Sequence, residues 1–293
     1  MDGYGDSAYR QTMKRVSPHI YTISEFYSAD GLVHSKFLAD SVLPHTDIEN
    51  PLVIQIFGKD PEMFAKAAKI IERYNVVGID INMGCAAKKV VRSGHGSSLF
   101  INQCTAFSIV ETLNKATKLP ISVKTRLSFD GEQSLIDFAK GLENAGAAML
   151  TVHGRTAKQA YSGQAKFDDI YELKKHLSIP VNCNGDIENY DDGLAKVQDL
   201  NGFMIGRCSF GNPWCFLPSP KNQEIFNTYT NAQTNAGNPF SEDHPLTPSL
   251  SRRGDLKDPA NFKDGCYQPT LAEMLDTMEF HATKLVETKG EKK

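Results

Sequence analysis

Side chains able to do chemistry recur at one kind of place in this 293-residue chain, where a short apolar run ends. The fullest case is the stretch VGIDINMGCAAKKVVRSGHGSSLF, Val77 to Phe100. Val77, Ile79 and Ile81 alternate as in a buried strand, and the pattern then breaks into Asn82-Met83-Gly84-Cys85. A thiol leaving a strand end beside an amide, under a loop carrying Lys88, Lys89 and Arg92, suits a reactive group near an anionic substrate. Taken alone, a free cysteine is more often a small buried hydrophobe. Other runs end in Gln55, in Lys124 with Arg126, in His153 with Arg155, in Asn184-Gly185-Asp186 and in Gly206-Arg207.

Lys124 lies in a strand, SVKTR, that is expected to point its cation into the barrel mouth, and a buried lysine is rare unless paired. Two chemistries fit it: a Schiff-base nucleophile, or a fixed positive charge beside an anionic ring such as a reduced flavin. His153 alone reads as a structural histidine. The polar run from Gly154 to Thr156, with Gln159 and Tyr161-Ser162-Gly163 behind it, favours a functional loop. Asn184-Gly185-Asp186 alone reads as a turn. Paired with Ile205-Gly206-Arg207 it becomes a phosphate grip, because glycine N–H groups after the last two strands of a barrel, with an arginine, hold phosphate.

These groups need elements to position them. Strands are expected at Ile20 to Phe26, Pro51 to Phe57, from Val77, at Ile121 to Arg126, Ala148 to His153, Pro180 to Asn184 and Gly202 to Ile205. Helices are expected at Thr12 to Val16, from Asp60-Pro61, and at Ala106 to Thr117, Ser134 to Ala145, Phe167 to His176 and Tyr190 to Gln198. Met1 to Arg10 reads as a loop. Strands separated by single helices imply a parallel sheet. The expected fold is α/β, a (β/α)8 TIM barrel with its first strand missing. An open doubly wound sheet is the alternative, but it usually carries GxGxxG after its first strand, and none stands there. Residues 1–217 form the expected barrel domain, 218–269 an irregular insert or linker, and 270–293 the start of a helical domain. A final helix, Thr270 to Val286, puts Leu271, Met274, Leu275, Met278 and Leu285 on one broad face.

A net charge of −3 gives no global basic field, so any contact with RNA comes from local patches. Six cysteines without CxxC or metal-ligand spacing fit reduced thiols and no metal. No leader or long apolar span is legible, which gives the expectation of a cytoplasmic protein without a membrane partner.

Together, INMGC with KKVVRSGHGSSL, SVKTR, TVHGRT with QAYSG, NGDI, and IGR with NPW resemble the tRNA-dihydrouridine synthases. The motifs run from Met1 to about Phe216 in the family's order and spacing. Each motif is weak alone, and five in order are specific. The resemblance implies a monomeric FMN-dependent barrel that reduces the uridine C5–C6 bond in tRNA with NADPH as reductant. It implies that Gln55, Lys124 and His153 contact the FMN ring and its ribityl side, and that Asn184, Gly185, Asp186, Gly206 and Arg207 grip the phosphate. It makes Cys85 the proton donor with Asn82 beside the uracil, and faces Lys88, Lys89, Arg92 and Arg155 toward RNA.

The chain departs from the family pattern at Ala86, where a proline usually follows the cysteine. The absent first strand and shortened helical domain give the expectation of a chain truncated at both ends. Another FMN barrel reductase acting on a small pyrimidine or enone, a Schiff-base lyase using Lys124, and a non-catalytic RNA-binding remnant are the competing readings.

Overall fold

Wholly apolar or alternating runs build a seven-stranded sheet: β1 (Thr22–Ser28), β2 (Leu52–Phe57), β3 (Gly78–Asn82), β4 (Ile121–Arg126), β5 (Met149–His153), β6 (Val181–Asn184) and β7 (Gly202–Met204). The strands pair in chain order, each parallel to the next. All seven expected strands are present, and the sheet curls into a partial (β/α)8 barrel. The computed structural model describes residues 3–227, 262–263 and 266–289. Among these, no eighth strand pairs with β1 or β7.

The connections are helical: α1 (Ser7–Val16), α2 (Ala29–His34), α3 (Lys36–Val42), α4 (Pro61–Ile71), α5 (Lys88–Arg92), α6 (Gln103–Ala116), α7 (Leu135–Asn144), α8 (Asp168–Lys174) and α9 (Tyr190–Val197). The α4 helix illustrates how sequence sets an element. Asp60 accepts from the Glu62 N–H as N-cap, Pro61 fills the first turn, and Phe64, Ala67, Ala68 and Ile71 are fully buried on one face. At the end of α7, Gly146 takes a left-handed φ of 103° and the chain turns into β5.

Two expectations change. The segment read as a loop before Arg10 is helical from Ser7, because the Asp6 side chain accepts from the Tyr9 N–H and starts α1 early. That helix reaches both ends of the open sheet. Gly5 N–H donates to Glu25 on β1 at 2.9 Å, Arg10 pairs with buried Glu49 at 2.7 Å, and Tyr9 hydrogen-bonds Ser209 beyond β7. Second, the chain stays packed on the barrel past the expected boundary at 217, since Phe226 is fully buried with its ring edge-on to Tyr190. Most of the expected 218–269 insert lies outside the described residues. Its end includes a short antiparallel ribbon, Phe262–Lys263 with Cys266–Tyr267, where no strand was legible.

The last helix, Leu271–Lys289, docks on α1 through the face opposite its apolar stripe. Leu271, Leu275 and Met278 are exposed, while Thr277 is buried, Arg15 pairs with Asp276 at 2.7 Å and its guanidinium lies 4.3 Å from the Phe280 ring.

Candidate active site

Parallel pairing brings the polar strand ends to one rim. The register sets Asn82 beside Lys124, Arg126 beside His153, and His153 beside Asn184. One layer below, Gln55 lies beside Asp80 and Asp80 beside Ser122.

The cysteine loop is held by its backbone. Asn82 Oδ1 accepts from the N–H groups of Gly84 at 3.2 Å and Cys85 at 2.9 Å, and the Ser97 N–H donates to the Cys85 carbonyl at 3.0 Å. Arg126 donates from Nε to the Gly84 carbonyl at 2.7 Å, and from Nη1 to the carbonyls of Thr156 and Ala160. It thereby ties the cysteine loop to the loop after β5. Gly96, at φ 61°, lets the chain pass under the cysteine, since a Cβ there would stand 2.8 Å from the Cys85 carbonyl. The Cys85 thiol is left half-buried at the rim.

Lys124 is half-buried and donates to Asn184 Oδ1 at 2.9 Å. Burial pulls its ammonium down to about 8, Arg126 adds to that, and Asp80 and Cys85 oppose it. His153 is 8 % exposed, and its Nδ1 is buried without a hydrogen-bond partner. A buried polar atom with no protein partner is open to a ligand atom or an ordered water.

Burial, reinforced by the charges on Lys124, Arg126 and Arg155, holds the His153 ring far below the ordinary imidazole value of 6.5. The unfolded chain therefore takes up a proton that the folded chain refuses, so this residue costs stability as the pH falls through 6.5. Urea unfolding is expected to lose less between pH 7 and pH 5 in His153→Gln than in the parent. The difference should approach about 1.4 kcal/mol per pH unit below pH 6.5. Equal losses would mean that the ring protonates in the folded state.

The phosphate grip differs from expectation in its parts. The Asn184 side chain is engaged with Lys124 and, through Nδ2, with the Met204 carbonyl at 2.8 Å. The Asp186 carboxylate accepts from Arg155, from the Ala165 N–H and, at 3.3 Å, from Arg207. What remains for an anion is backbone. Gly185 and Asp186 both have positive φ, and among the described residues no protein acceptor is recorded for the N–H groups of Gly185, Asp186 or Gly206. A Cβ on Gly185 would lie 2.9 Å from Ala165 and 3.3 Å from the His153 ring, so only glycine keeps this cradle open. Arg207 stands over it, half exposed and 4.8 Å from the Tyr161 ring. The arrangement fits a flavin mononucleotide: N–H groups and an arginine for the phosphate, and an amide, a lysine and an unpartnered histidine toward the ring.

Arg155, expected to face RNA, is instead buried at 2 % exposure. Its guanidinium bonds both Asp186 oxygens and the carbonyls of Ser162 and Gly163. It folds the loop after β5 and does not reach the surface. Lys88, Lys89 and Arg92 are exposed on α5 next to the cysteine loop. Sequence reading did not single out Asp80, Ser122 and Ser24, which support the site from below. Among the described residues, no three His, Cys, Asp or Glu side chains are grouped to hold a metal, and no helix is long and apolar enough to cross a membrane.

The model of the dihydrouridine synthase (Dus) family matches residues 1–236. Among curated relatives, the probable tRNA-dihydrouridine synthase 1 of Synechocystis is 37 % identical over 217 residues, 73 % of this chain and 61 % of that protein. The tRNA-dihydrouridine synthase B of Pseudomonas aeruginosa is 33 % identical over 219 residues, 74 % of this chain and 66 % of its own. The chain thus spans between three fifths and two thirds of these relatives' length. Among solved structures, 2-naphthoyl-CoA reductase superposes with a TM-score of 0.55 at 10 % identity over 76 % of this chain and 47 % of that one. A variant of NCR from Zymomonas mobilis gives 0.51 at 16 % identity over 84 % and 92 %. These two likenesses speak for the barrel fold alone. The family match and the identity to its curated members, over motifs that meet at one rim, make this chain a member of the dihydrouridine synthase family.

Proposed function

We propose that this chain carries the catalytic barrel of a tRNA-dihydrouridine synthase, which reduces the C5–C6 bond of uridine in tRNA. The observation that carries the reading is the Cys85 thiol, half-buried at the rim, on a loop whose backbone is fixed by Asn82 and Arg126 beside Lys124 and the unpartnered His153. FMN, reduced by NADPH, would supply the hydride to uracil C6. Gln55, Lys124 and His153 would lie against its ring and ribityl side, and Gly185, Asp186, Gly206 and Arg207 around its phosphate, with Asn184 and Asp186 holding the lysine and the arginines in place.

The rest falls to the chain's own residues. Hydride arriving at C6 leaves negative charge toward C5 and O4. Cys85 delivers a proton to C5, and its thiolate is reprotonated from solvent. The Lys124 cation, fixed by Asn184, stabilises negative charge that develops next to it. Asn82 holds the loop through Oδ1 and stands at the rim where the base would enter. A uridine stacked in folded tRNA has to be extruded to reach that rim. Lys88, Lys89 and Arg92 offer phosphate contacts around the opening, which suits recognition of RNA by shape and backbone.

The test is the visible spectrum of the purified protein, before and after stoichiometric FMN, followed by incubation with unmodified tRNA and NADPH. A bound flavin band and dihydrouridine in the tRNA are expected. A folded protein that takes up no flavin at this stoichiometry would overturn the assignment of the cradle. Flavin uptake with reduction of a free pyrimidine or enone and none of tRNA would favour the small-substrate reductase.

A further inference from the structure

Asp80 lies on β3, two residues before Asn82, and is fully buried. No step of the proposed reaction uses it. Its carboxylate accepts from Gln55 Nε2 on β2 at 2.7 Å and from Ser122 Oγ on β4 at 2.6 Å. The Gln55 Oε1 in turn accepts from Asn82 Nδ2 at 2.9 Å, and Asn82 Oδ1 accepts from the Gly84 and Cys85 N–H groups. A continuous hydrogen-bonded chain therefore runs from the buried carboxylate to the backbone of the cysteine.

The direction of that chain is imposed from both ends. A carboxylate only accepts and a backbone N–H only donates. Gln55 must turn its amide nitrogen toward Asp80, and Asn82 must turn its oxygen toward Gly84 and Cys85. The two amides then meet nitrogen to oxygen. Turning either one over would set N–H against N–H or leave a buried group without a partner, which costs more than the bond contributes. A buried carboxylate is costly to hold unless its partners satisfy it, and both of its oxygens are satisfied here. Burial pushes this carboxyl up to about 6, against Ser122, Gln55 and the Lys124 charge, so near neutral pH it is an acceptor.

We propose that Asp80 is a positioning residue for Cys85: its carboxylate sets the polarity of the Gln55–Asn82 pair, and through that pair it holds the cysteine loop at the rim. The catalytic consequence rests on Cys85 being the proton donor. The positioning itself does not.

Asp80→Asn tests this with a nearly isosteric amide, which can donate to Gln55 as readily as accept from it, so the polarity is no longer set from the buried end and only the Gly84 and Cys85 N–H groups still favour it. The double variant Gln55→Glu/Asp80→Asn exchanges the two groups. The amide at position 80 then donates to the carboxylate at position 55, whose other oxygen still accepts from Asn82, with net charge unchanged. The readout is iodoacetamide alkylation of Cys85 relative to exposed Cys104 in the same flavin-free sample of the 293-residue chain, resolved by peptide mass.

Asp80→Asn is expected to raise the Cys85 to Cys104 ratio about fivefold, the factor that one net hydrogen bond commands. The exchanged pair is expected to return it to within about twofold of the parent, a margin well inside that factor. A folded Asp80→Asn protein with an unchanged ratio overturns the inference, and so does an exchanged pair as reactive as the single variant. Should Asp80→Asn fail to fold, the exchanged pair decides alone: a parent-like ratio supports the inference, and a raised ratio or failure to fold overturns it. If the parent forms no dihydrouridine, the proposed function fails while the alkylation ratios still decide the positioning.

Discussion

Cys85→Ala, saturated with FMN and assayed with unmodified tRNA and NADPH, is expected to form dihydrouridine about 10²- to 10⁴-fold more slowly than the parent, the range for removing a positioned general acid. Flavin binding and stability should stay close to the parent's, because the loop is held through the Cys85 backbone and not its sulfur. The Cys85 N–H goes to Asn82 and its carbonyl receives the Ser97 N–H, and both survive the substitution. Alanine removes one sulfur from a half-buried position and introduces no clash. Cys104→Ala, at an exposed position on α6, serves as the thiol control and should leave the rate unchanged. An unchanged dihydrouridine yield in Cys85→Ala would take the proton-donor role away from this residue. A loss of flavin along with turnover would place its function in the binding of the cofactor.

Much of the fold was legible because parallel strands buried on both faces leave a plain mark. PLVIQIF and AMLTVH are short and mostly apolar, ISVKTR alternates through Ile121 and Val123, and each is followed by one helix before the next strand. Boundaries were less legible. Asp6 starts α1 four residues before the expected loop ends, and nothing in MDGYGDSAYR except that single capping side chain announces it. The short helices α2, α3 and α5 were missed because five to seven residues hold too few turns for a 3.6-residue period to register. The last helix has an apolar stripe at helical spacing, yet it docks through Thr277, Phe280 and a salt bridge from Arg15. Periodicity identifies an apolar face and does not say which partner the chain offers to cover it.

The site was legible as a set of strand ends and less so as a division of labour. Asn82, Cys85, Lys124, His153 and Asn184 meet at the rim because the register places them there. Sequence cannot tell a polar group that faces a ligand from one that holds its neighbour. Asn184 and Asp186 read as ligand contacts, and their side chains are engaged with Lys124, Arg155 and Arg207. Asp80 read as part of a strand, since IDIN looks like ordinary alternation with one acid in it. The one available signal was that an aspartate between two isoleucines in a run buried on both faces must have partners inside.

Arg155→Met is expected to cost about 3 kcal/mol of folding stability, the lower end of the range for breaking a buried ion pair. The lower end applies because its partner Asp186 keeps 34 % of its side-chain surface in water. Methionine preserves the stem and removes every donor that ties Asp186, Ser162 and Gly163 together. For a domain of this size the midpoint of thermal unfolding should fall by roughly 6–12 °C, at 2–4 °C per kcal/mol. The pH dependence carries a sign that identifies the pair. Hydrogen bonds from Arg155 hold the Asp186 carboxyl below its ordinary value, so this contribution is complete above about pH 4 and fades as the pH falls further. The gap between parent and variant in urea unfolding should therefore narrow on acidification below about pH 4. Lys89→Ala is the contrasting substitution: exposed on α5, it should change stability by less than about 0.5 kcal/mol while weakening tRNA binding and its salt dependence. An Arg155→Met protein as stable as the parent, with weakened tRNA binding, would return Arg155 to the RNA-facing surface and would require the loop after β5 to open in solution.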